Sequence, residues 1–479
     1  MRDNSYVHTT DGDGERTELE FGEQSLRERE PYYYVRGDQK DGNVAWSSPI
    51  WIAKREPDLG RHGGRVGGTA RAPSRTRPAF AVGWCKIETE FYFARMIPRK
   101  ITKILRDRLA AYPAVALVGP RQCGKTTIAR SLQGLYYDIE QQSDQLRVDI
   151  EWPDLIGSRE LVIFDEAQAW PNLFARLRGA IDVDRRRNGR FLLLGSVSPA
   201  LMTRVSESLA GRISIVELTP MTASELETPC QRSRHWLCGG YADGGVLSGK
   251  GFPRWQRDYL DLLVQRDLPT WGLPARHQTT SRLLRMIAAT HGQEWNASRI
   301  GRSMALSYHT VNKYLDYLDG AFLVRRLPPY HANIRKRLVK RTKVYVRDTG
   351  LLHALLNVTD DDALFNHPAV GASWEGYVVE QVLAALQHAD RLSDAYFLRT
   401  RDQREIDLVI QLGSELWAVD TKLTTQPTRS DVGRLGANAD LIGATKRFLV
   451  CRSACSIKSE SQVICDLSGF ERYLAGGLD

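Results

Sequence analysis

The stretch "AVALVGPRQCGKTTIAR", residues 114–130, decides the fold of the chain segment around it. Five apolar residues lead into Gly119, and Gly124 opens a helical pattern, so the stretch predicts a strand, a glycine-bounded loop and a helix. The eight positions from Gly119 to Thr126 match the phosphate-loop pattern G-x-x-x-x-G-K-[ST]. The sequence therefore predicts a nucleotide site directly after a buried strand.

Each residue type in this loop has a physical task. Glycines let the backbone turn so that successive N–H groups point at phosphate oxygens, and the following helix adds its positive end. Lys125 is predicted to reach the β- and γ-phosphates of ATP, and Thr126 to place a hydroxyl on Mg²⁺. The predicted nucleotide-binding residues are Gly119, Pro120, Arg121, Gln122, Cys123, Gly124, Lys125, Thr126 and Thr127.

A second stretch, "LVIFDEAQ" (161–168), predicts a buried strand that ends in Asp165 and Glu166. One carboxylate at a strand end is also typical of a helix N-cap. Two adjacent carboxylates, about forty residues after a phosphate loop, favour two separate roles in ATP hydrolysis, one for each carboxylate. We expect Asp165 to bind Mg²⁺ through its water shell and Glu166 to activate the attacking water.

Two weaker signals extend this site. "FLLLGSVSP" (191–199) predicts a strand ending in Ser196, whose hydroxyl could sense the γ-phosphate; an ordinary strand-end turn is the alternative. "SLAGRISIVEL" (208–218) carries Arg212 before the last strand, as an arginine finger toward the same or a neighbouring nucleotide would require. A solvated surface arginine explains that position as well.

Four stretches together resemble a family of bacterial and archaeal AAA-type ATP-binding proteins that carry a C-terminal domain of unknown function. They are "LVGPRQCGKTTIAR", "LVIFDEAQAWPNLFARLRGAID", "LLLGSVSPAL" and "ESLAGRISIVELTPMTASEL". The resemblance runs from Met96 nearly to the end of the chain. It implies that Lys125, Thr126, Asp165 and Glu166 take the ATPase roles given above. Cys123 stands where such proteins commonly have a small aliphatic residue, and we interpret it as a neutral filler.

Composition bounds the protein class. A chain of 479 residues predicts roughly three domains. No run of residues approaches the roughly 20 apolar residues of a membrane span, and the polar start lacks the pattern of a signal peptide. We therefore expect a cytoplasmic protein without a membrane partner. The scattered cysteines lack zinc-like spacing and favour free thiols.

The expected organisation has five parts. Residues 1–95 predict a β-hairpin and a disordered linker, which resemble the closing strands of an unrelated hydrolase-like family; our hypothesis is that they are a fusion or start-site remnant and that Met96 is the natural start. Residues 96–227 alternate strands and helices, which predicts an α/β fold: a P-loop NTPase parallel sheet with helices on both faces. Residues 228–280 read as a helical lid or linker. The two remaining parts cover residues 281–350 and 351–479.

Residues 281–350 predict a winged helix-turn-helix in which "YHTVNKYLDYLDG" is the recognition helix. Its packed stripe would be Ile300, Met304, Val311, Leu315 and Leu318, and its outward residues Tyr308, His309, Asn312 and Lys313. Residues 331–343 would form a basic wing that contacts DNA phosphates through Arg335, Lys336, Arg337, Lys340, Arg341 and Lys343. The net charge of +9 permits such a polyanionic partner. A protein-docking module with a solvated charged face is the alternative.

The last part, 351–479, predicts a small α/β domain. "REIDLVIQLGSELWAVDTKL" (404–423) places Asp407 on one strand and Asp420 on the next, followed by Lys422. A hairpin would bring both carboxylates together as Mg²⁺ ligands, with Lys422 orienting water. The pattern resembles the D…(D/E)xK site of restriction-endonuclease-like nucleases, and Glu375 matches their helical glutamate. The alternative is an exposed Asp/Lys pair that protects an edge strand.

These signals predict a Mg²⁺-dependent ATPase, with Glu166, Lys125 and Arg212 as catalytic residues, that couples its nucleotide state to a DNA-binding and nucleolytic C-terminal half. A homo-oligomer would let Arg212 act across a subunit boundary. The alternative is a signalling-type ATPase switch whose C-terminal half docks protein partners and has no nuclease activity. A small-molecule kinase fits less well, because no acceptor pocket is evident.

Overall fold

The computed structural model divides into two compact units, Met1–Met96 and Ile97–Asp479. It describes residues 97–196, 209–330, 341–452, 457–459 and 461–476, and before them only the backbone of four short strands. Among those strands β1 (Tyr32–Tyr33) pairs antiparallel with β4 (Ile50–Trp51), and β2 (Arg36–Asp38) with β3 (Val44–Trp46), as in the predicted hairpin. The predicted linker and the hypothesised start at Met96 lie outside the described residues.

The second unit begins with a five-stranded parallel sheet. Its strands are β5 (Ala114–Gly119), β6 (Leu135–Asp138), β7 (Val162–Asp165), β8 (Phe191–Ser196) and β9 (Ile213–Glu217). The helices around it are α1 (Ile101–Ala111), α2 (Lys125–Arg130), α3 (Gln142–Gly157) and α4 (Asn172–Val183). The strand order is β6-β7-β8-β5-β9, and all pairings are parallel. The predicted parallel sheet is confirmed, and it fits a P-loop NTPase fold.

The alternation of side chains along β5 explains why helices cover both faces of this sheet. Val115 and Leu117 pack with α1 and α2, whereas Ala116 and Val118 pack with α3 and α4. A strand that is buried on both faces must be apolar at every position, which is the composition of "AVALVG". The loop after β5 is therefore held by a rigid, fully buried support.

A helical segment and a small sheet follow. They comprise α5 (Pro229–Cys238), α6 (Arg254–Leu262), a π-helical turn (Leu263–Asp267) that ends in a short helix (Leu268–Thr270), α7 (His277–Ala289), β10 (Gln293–Glu294), α8 (Ala297–Met304), α9 (Tyr308–Gly320), β11 (Val324–Leu327) and β12 (Lys343–Val346). The strands pair antiparallel in the order β10-β12-β11. Asn296 and Ser307 cap α8 and α9 by accepting backbone N–H groups at 3.0 and 3.1 Å.

One apolar core joins these helices. Tyr259, Leu263 and Leu268 from α6 and its continuation pack with Leu283 of α7 and Val311 of α9. The predicted stripe Ile300, Val311, Leu315 and Leu318 is buried and Met304 is half-buried. Residues 254–270 thus share a core with the helices that follow them.

The C-terminal part is built on a six-stranded mixed sheet. Its elements are α10 (Thr349–Leu355), α11 (Asp361–Phe365), α12 (Val370–His388), β13 (Asp394–Arg399), β14 (Glu405–Leu412), β15 (Glu415–Thr421), α13 (Arg429–Ile442), β16 (Lys446–Val450), β17 (Ile457–Lys458), β18 (Gln462–Cys465) and α14 (Leu467–Leu474). The order is β13-β14-β15-β16-β18-β17, with β15, β16 and β18 parallel to one another. In the part of the chain that the structure describes, no helix is both long and apolar enough to span a bilayer.

Buried ion pairs connect the parallel sheet to the C-terminal part. Arg347, just after β12, pairs with Glu217 at the end of β9 at 2.5 Å and with Glu380 on α12 at 3.1 Å. Arg325 on β11 also pairs with Glu380. Because the side chains of Arg347 and Glu380 are only about a tenth exposed, each of these two charges depends on its partners in the neighbouring part of the fold.

Candidate functional site

The phosphate loop follows β5 at the carboxyl end of the sheet. Gln122 and Gly124 have φ values of 59° and 101°, in the left-handed region. Gly119 is required for a different reason, because a Cβ at this position would lie 2.2 Å from the backbone oxygen of Leu218. The loop is therefore closely packed against the chain that leaves β9.

Lys125 lies inside this loop and is only 5% exposed. Its Nζ donates to the carbonyl oxygens of Gly119 at 3.0 Å and Pro120 at 2.8 Å. Both partners are neutral. An ammonium held in this way can exchange them for phosphate oxygens with a gain in strength, because hydrogen bonds between two charged groups are the stronger ones.

The structure brings together the two predicted magnesium residues of the nucleotide site. Asp165 Oδ2 accepts from the hydroxyl of Thr126 at 2.7 Å and from that of Tyr136 at 2.6 Å. Asp165 Oδ1 accepts the backbone N–H of Glu166 at 2.9 Å. Oxygen donors of this kind suit Mg²⁺, so the residues present fit the predicted cation.

Tyr136 is a contributor that the sequence did not reveal. It comes from β6, the strand beside β7, and its hydroxyl contacts the carboxylate one strand away. Burial and then the hydrogen bond to Asp165 raise the pKa of Tyr136, so the phenol remains a donor. The signal for it would have been the neighbouring position of β6 and β7, which the strand pattern alone does not give.

Glu166 occupies the turn directly after β7, with φ 48°. Its carboxylate accepts from the side-chain amide of Gln168. Burial and then the nearby Glu166 charge raise the pKa of Glu140, which follows β6 at the same edge of the sheet. Glu140 and Glu166 therefore lie close enough to each other and to Arg121 of the phosphate loop for their charges to interact.

Arg121 projects from the loop toward the helical segment. Its Nη1 lies 2.5 Å from Oδ1 of Asp267, the last residue of the π-helical turn. Burial opposes the charge of Arg121, but the hydrogen bond and charge of Asp267, and then the charges of Glu166 and Glu140, raise its pKa. Asp267 was not predicted, because 146 residues separate it from Arg121.

Ser196 and Arg212 lie at opposite ends of the sheet. Ser196 pairs with Gly119 in the β5–β8 ladder, which places its backbone beside the loop. Arg212 precedes β9, whose first residue is level with the first residue of β5, so it lies at the amino end of the strands. There it forms a bidentate pair with Asp182 at 2.8 and 3.0 Å. The structure does not bring Arg212 to the loop of its own chain, and its role across a subunit boundary stays a prediction.

The C-terminal part has a cleft of about 440 Å³. Asp407 on β14 and Asp420 on β15 lie next to the paired residues Leu408 and Val419, and Oδ2 of Asp407 accepts the backbone N–H of Thr421 at 2.9 Å. Burial, and then the charge of Asp407, raise the pKa of Asp420 to about 7. The residues lining the cleft are Gln403, Arg404, Glu405, Asp407, Asp420, Lys422, Arg434, Ala437 and Asn438. Because β15 is an interior strand and Asp420 is buried, the alternative of an exposed edge pair is wrong.

The carboxylate of Glu375 is paired with the ammonium group of a lysine and not with a metal ion. The Nζ of Lys343 lies 2.7 Å from Glu375 and 2.6 Å from Glu405, and the hydroxyl of Tyr345 donates to Glu375 at 2.6 Å. Among the described residues, no three or more His, Cys, Asp or Glu side chains are arranged to hold a metal ion. Glu375 thus does not form a ready metal site with Asp407, because Lys343 already neutralises it.

This arrangement corrects the prediction for Lys343 as part of the basic wing 331–343. Lys343 is 1% exposed, because strand β12 turns it into the interior toward α12. It therefore cannot contact a DNA phosphate in this arrangement. Arg341 is exposed, and residues 331–340 lie outside the described part of the chain.

The comparisons with known proteins agree with the parallel sheet and its loop. The AAA domain family matches residues 111–227, and two domains of unknown function, DUF8612 and DUF4143, match residues 230–362 and 370–469. The fold and loop thus define an AAA-type P-loop ATPase domain, a class that binds nucleotides.

Two relatives match over most of their length. The uncharacterized proteins Rv2008c of Mycobacterium tuberculosis and Mb2031c of Mycobacterium bovis are each 40% identical over 332 residues, which is 68% of this chain and 74% of the relative. The chain belongs to the family of these mycobacterial proteins.

Two solved structures show a distant likeness to this chain. A Signal Transduction ATPase with Numerous Domains (STAND) protein with a tetratricopeptide repeat sensor, from Pyrococcus horikoshii, is 12% identical, with a TM-score of 0.24. The match covers 61% of this chain and 47% of that structure, so this chain spans about half its length. Protein VC1899 from Vibrio cholerae is 11% identical, with a TM-score of 0.20, covering 76% of this chain and 96% of that one. Scores this low carry no argument about fold or function.

We predict that Lys343→Met lowers the free energy of unfolding by about 3–5 kcal/mol, because Glu375 and Glu405 would lose the cation that compensates their buried charge. Denaturant titration measures the change. Lys313→Met, at an exposed position of α9, is the matched control and should change stability by less than about 0.5 kcal/mol. Equal stability of the two variants would show that the Lys343 pair is unimportant for folding.

Proposed function

We propose that this protein binds and hydrolyses ATP with Mg²⁺ and that its nucleotide state controls a DNA-binding C-terminal half. The observation that carries the ATPase proposal is the 2.7 Å contact between Thr126 of the phosphate loop and Asp165 at the end of β7. This contact places a loop hydroxyl and a strand-end carboxylate at one point, next to Lys125.

The residues of the site would act as follows. Lys125 would exchange its two carbonyl partners for β- and γ-phosphate oxygens, while the loop N–H groups bind the remaining oxygens. Thr126 and Asp165 would hold Mg²⁺, which neutralises charge on the phosphates. Glu166 would orient a water and accept its proton, and Tyr136 would keep Asp165 in place through its hydroxyl.

Substitutions in the loop and at the strand end separate binding from hydrolysis. We predict that Lys125→Ala abolishes ATP binding, because the phosphates lose their cation. Glu166→Gln should bind ATP with unchanged affinity and lower kcat by about 100-fold or more. Equilibrium titration and phosphate release measure the two effects, with Lys313→Ala on α9 as the control. Normal hydrolysis by Glu166→Gln would assign the water-activating role to another group, such as Glu140.

The DNA-binding proposal is supported by the element order α7, β10, α8, α9, β11, β12, which is compatible with a winged helix-turn-helix. Tyr308, His309 and Lys313 of α9 are exposed. Asn312 is half-buried and accepts from the indole N–H of Trp295 at 2.8 Å, so it faces the fold and not outward as expected.

The two helices before α9 also expose basic side chains. Arg299 and Arg302 on α8 and Arg282 and Arg285 on α7 are all exposed, and Arg282 donates to the backbone oxygen of Ser303 at 2.7 Å. Phosphate contacts by such side chains release counterions, which makes the affinity for DNA fall as salt rises. This face therefore supports a nucleic acid as the partner, and a protein with an acidic surface is the alternative.

We predict that Arg299→Ala/Arg302→Ala weakens binding of duplex DNA and lowers the slope of log K against log salt by about 2, since each lost phosphate contact contributes about 0.9. Titrations of a fluorescent duplex at several salt concentrations measure this slope. Arg185→Ala/Arg186→Ala, exposed positions just after α4, remove the same charge elsewhere. Equal slopes for the two double variants would favour the protein-docking alternative.

Nucleolytic cleavage is a second candidate function, favoured by the facing carboxylates of Asp407 and Asp420 and by Lys422 in the same cleft. The order α12, β13, β14, β15, α13, β16 is compatible with a restriction-endonuclease-like core. The Lys343–Glu375 pair does not fit a preformed metal set, so cleavage ranks below DNA binding. Assays of duplex and single-stranded DNA with Mg²⁺ or Mn²⁺, beside Asp420→Asn, test it. Cleavage by wild type that Asp420→Asn lacks, with ATP hydrolysis retained, would establish the nuclease.

A further inference from the structure

One ion pair ties the phosphate loop to the helical segment. Arg121 is the third residue of the loop, and its guanidinium lies 2.5 Å from the carboxylate of Asp267. The hydroxyl of Tyr259 on α6 lies 3.4 Å from the backbone oxygen of Arg121. Side-chain and backbone contacts from α6 and its π-helical turn thus converge on a single loop residue.

The same guanidinium also experiences the charges of two further carboxylates. Besides Asp267, the charges of Glu166 and Glu140 act on Arg121, so it stands among three carboxylates at the carboxyl end of the sheet. A guanidinium in this position is within the electrostatic range of a triphosphate held by the loop. Its planar fork can bind two phosphate oxygens at once.

Lys125 and Arg121 differ in the partners that each would have to leave before it could bind a phosphate. Lys125 is held by neutral carbonyls, whereas Arg121 is held by a carboxylate that is only 7% exposed. Releasing Arg121 leaves the Asp267 charge partly buried without its ion-pair partner, which opposes nucleotide binding. If only the fraction of protein in which the Arg121–Asp267 pair is broken can bind the ligand, the apparent affinity is lower by that fraction.

The π-helical turn connects Asp267 to the helices behind it. Asp267 is the last residue of the turn Leu263–Asp267, which interrupts the helix that starts at Arg254. Such turns are rare and frequently mark functional sites, since one residue is inserted into the helix. Leu263 and Leu268 pack with Leu283 of α7, so a change at Asp267 reaches the helices of the proposed DNA-binding part.

We propose that Arg121 is a nucleotide-binding residue that exchanges Asp267 for the γ-phosphate of ATP, and that loss of the Arg121–Asp267 pair is the signal passed to α6 and α7. This inference rests on the proposed ATP site and deepens it. It makes the exchange specific for a triphosphate, because ADP lacks the phosphate that Arg121 would reach.

The test compares affinities of the full chain for a non-hydrolysable ATP analogue and for ADP. Asp267→Asn keeps the shape of the side chain and removes the competing charge, so we expect about fivefold or more tighter binding of the analogue. The affinity for ADP should change by less than twofold. Arg121→Ala should lose the preference for the analogue over ADP, and Asp267→Asn should have no further effect in that background.

A matched control removes a carboxylate from an arginine pair that is remote from the loop. Asp182→Asn breaks the pair with Arg212 at the other end of the strands and should leave both affinities unchanged. An unchanged affinity in Asp267→Asn, or an equal loss for both nucleotides, would overturn the exchange and leave Asp267 as a structural partner. Failure of wild type to bind either nucleotide would overturn the proposed ATP site itself, and the exchange with it.

Discussion

The buried guanidinium of Arg347 holds the parallel sheet and the C-terminal sheet in one arrangement. It bridges Glu217, which ends β9, and Glu380 on α12. Removing one member of such a group leaves charge without compensation in the interior, which costs about 3–5 kcal/mol. Leu218 follows Glu217 directly, and its backbone oxygen leaves no room for a side chain at position 119, while Glu375 lies five positions before Glu380 on the same helix. Along the chain, this cluster of charges therefore adjoins both the segment that packs on the phosphate loop and the helix that carries Glu375.

The sequence predicts the nucleotide site well because its determinants are local. Lys125 and Thr126 belong to one loop, and Asp165 ends a strand that the preceding apolar run predicts. Their meeting follows from parallel strands, whose carboxyl ends share one edge of the sheet. Tyr136 and Asp267 could not be predicted in this way, because strand order and contacts between distant segments depend on the packing of the whole chain.

The C-terminal cleft shows where pattern reasoning loses its accuracy. Asp407 and Asp420 line one cleft, and their closeness follows from the hairpin of β14 and β15, because a two-strand register is a local property. Lys343 is the last residue of a basic run in the sequence and the first residue of strand β12 in the fold. Its charge is therefore directed inward and not toward a partner molecule. The amino-acid composition of a segment gives the number of its charges but not the direction in which each side chain points. The position of β15 inside the sheet also decided against an edge-protecting role for Asp420.

The core that α6 shares with α7 and α9 limits how this protein can be divided. The family matches place a boundary between residues 227 and 230. Beyond it, Tyr259 and Leu263 pack with Leu283 and Val311 in one core. Across it, Arg121 forms an ion pair with Asp267. A fragment that stops at this boundary would leave the phosphate loop without its resting partner. A fragment that starts there would expose the surface that covers the loop. The unit that begins at Ile97 is thus one compact unit, and exchanging its segments between relatives would require exchanging their shared interior as well.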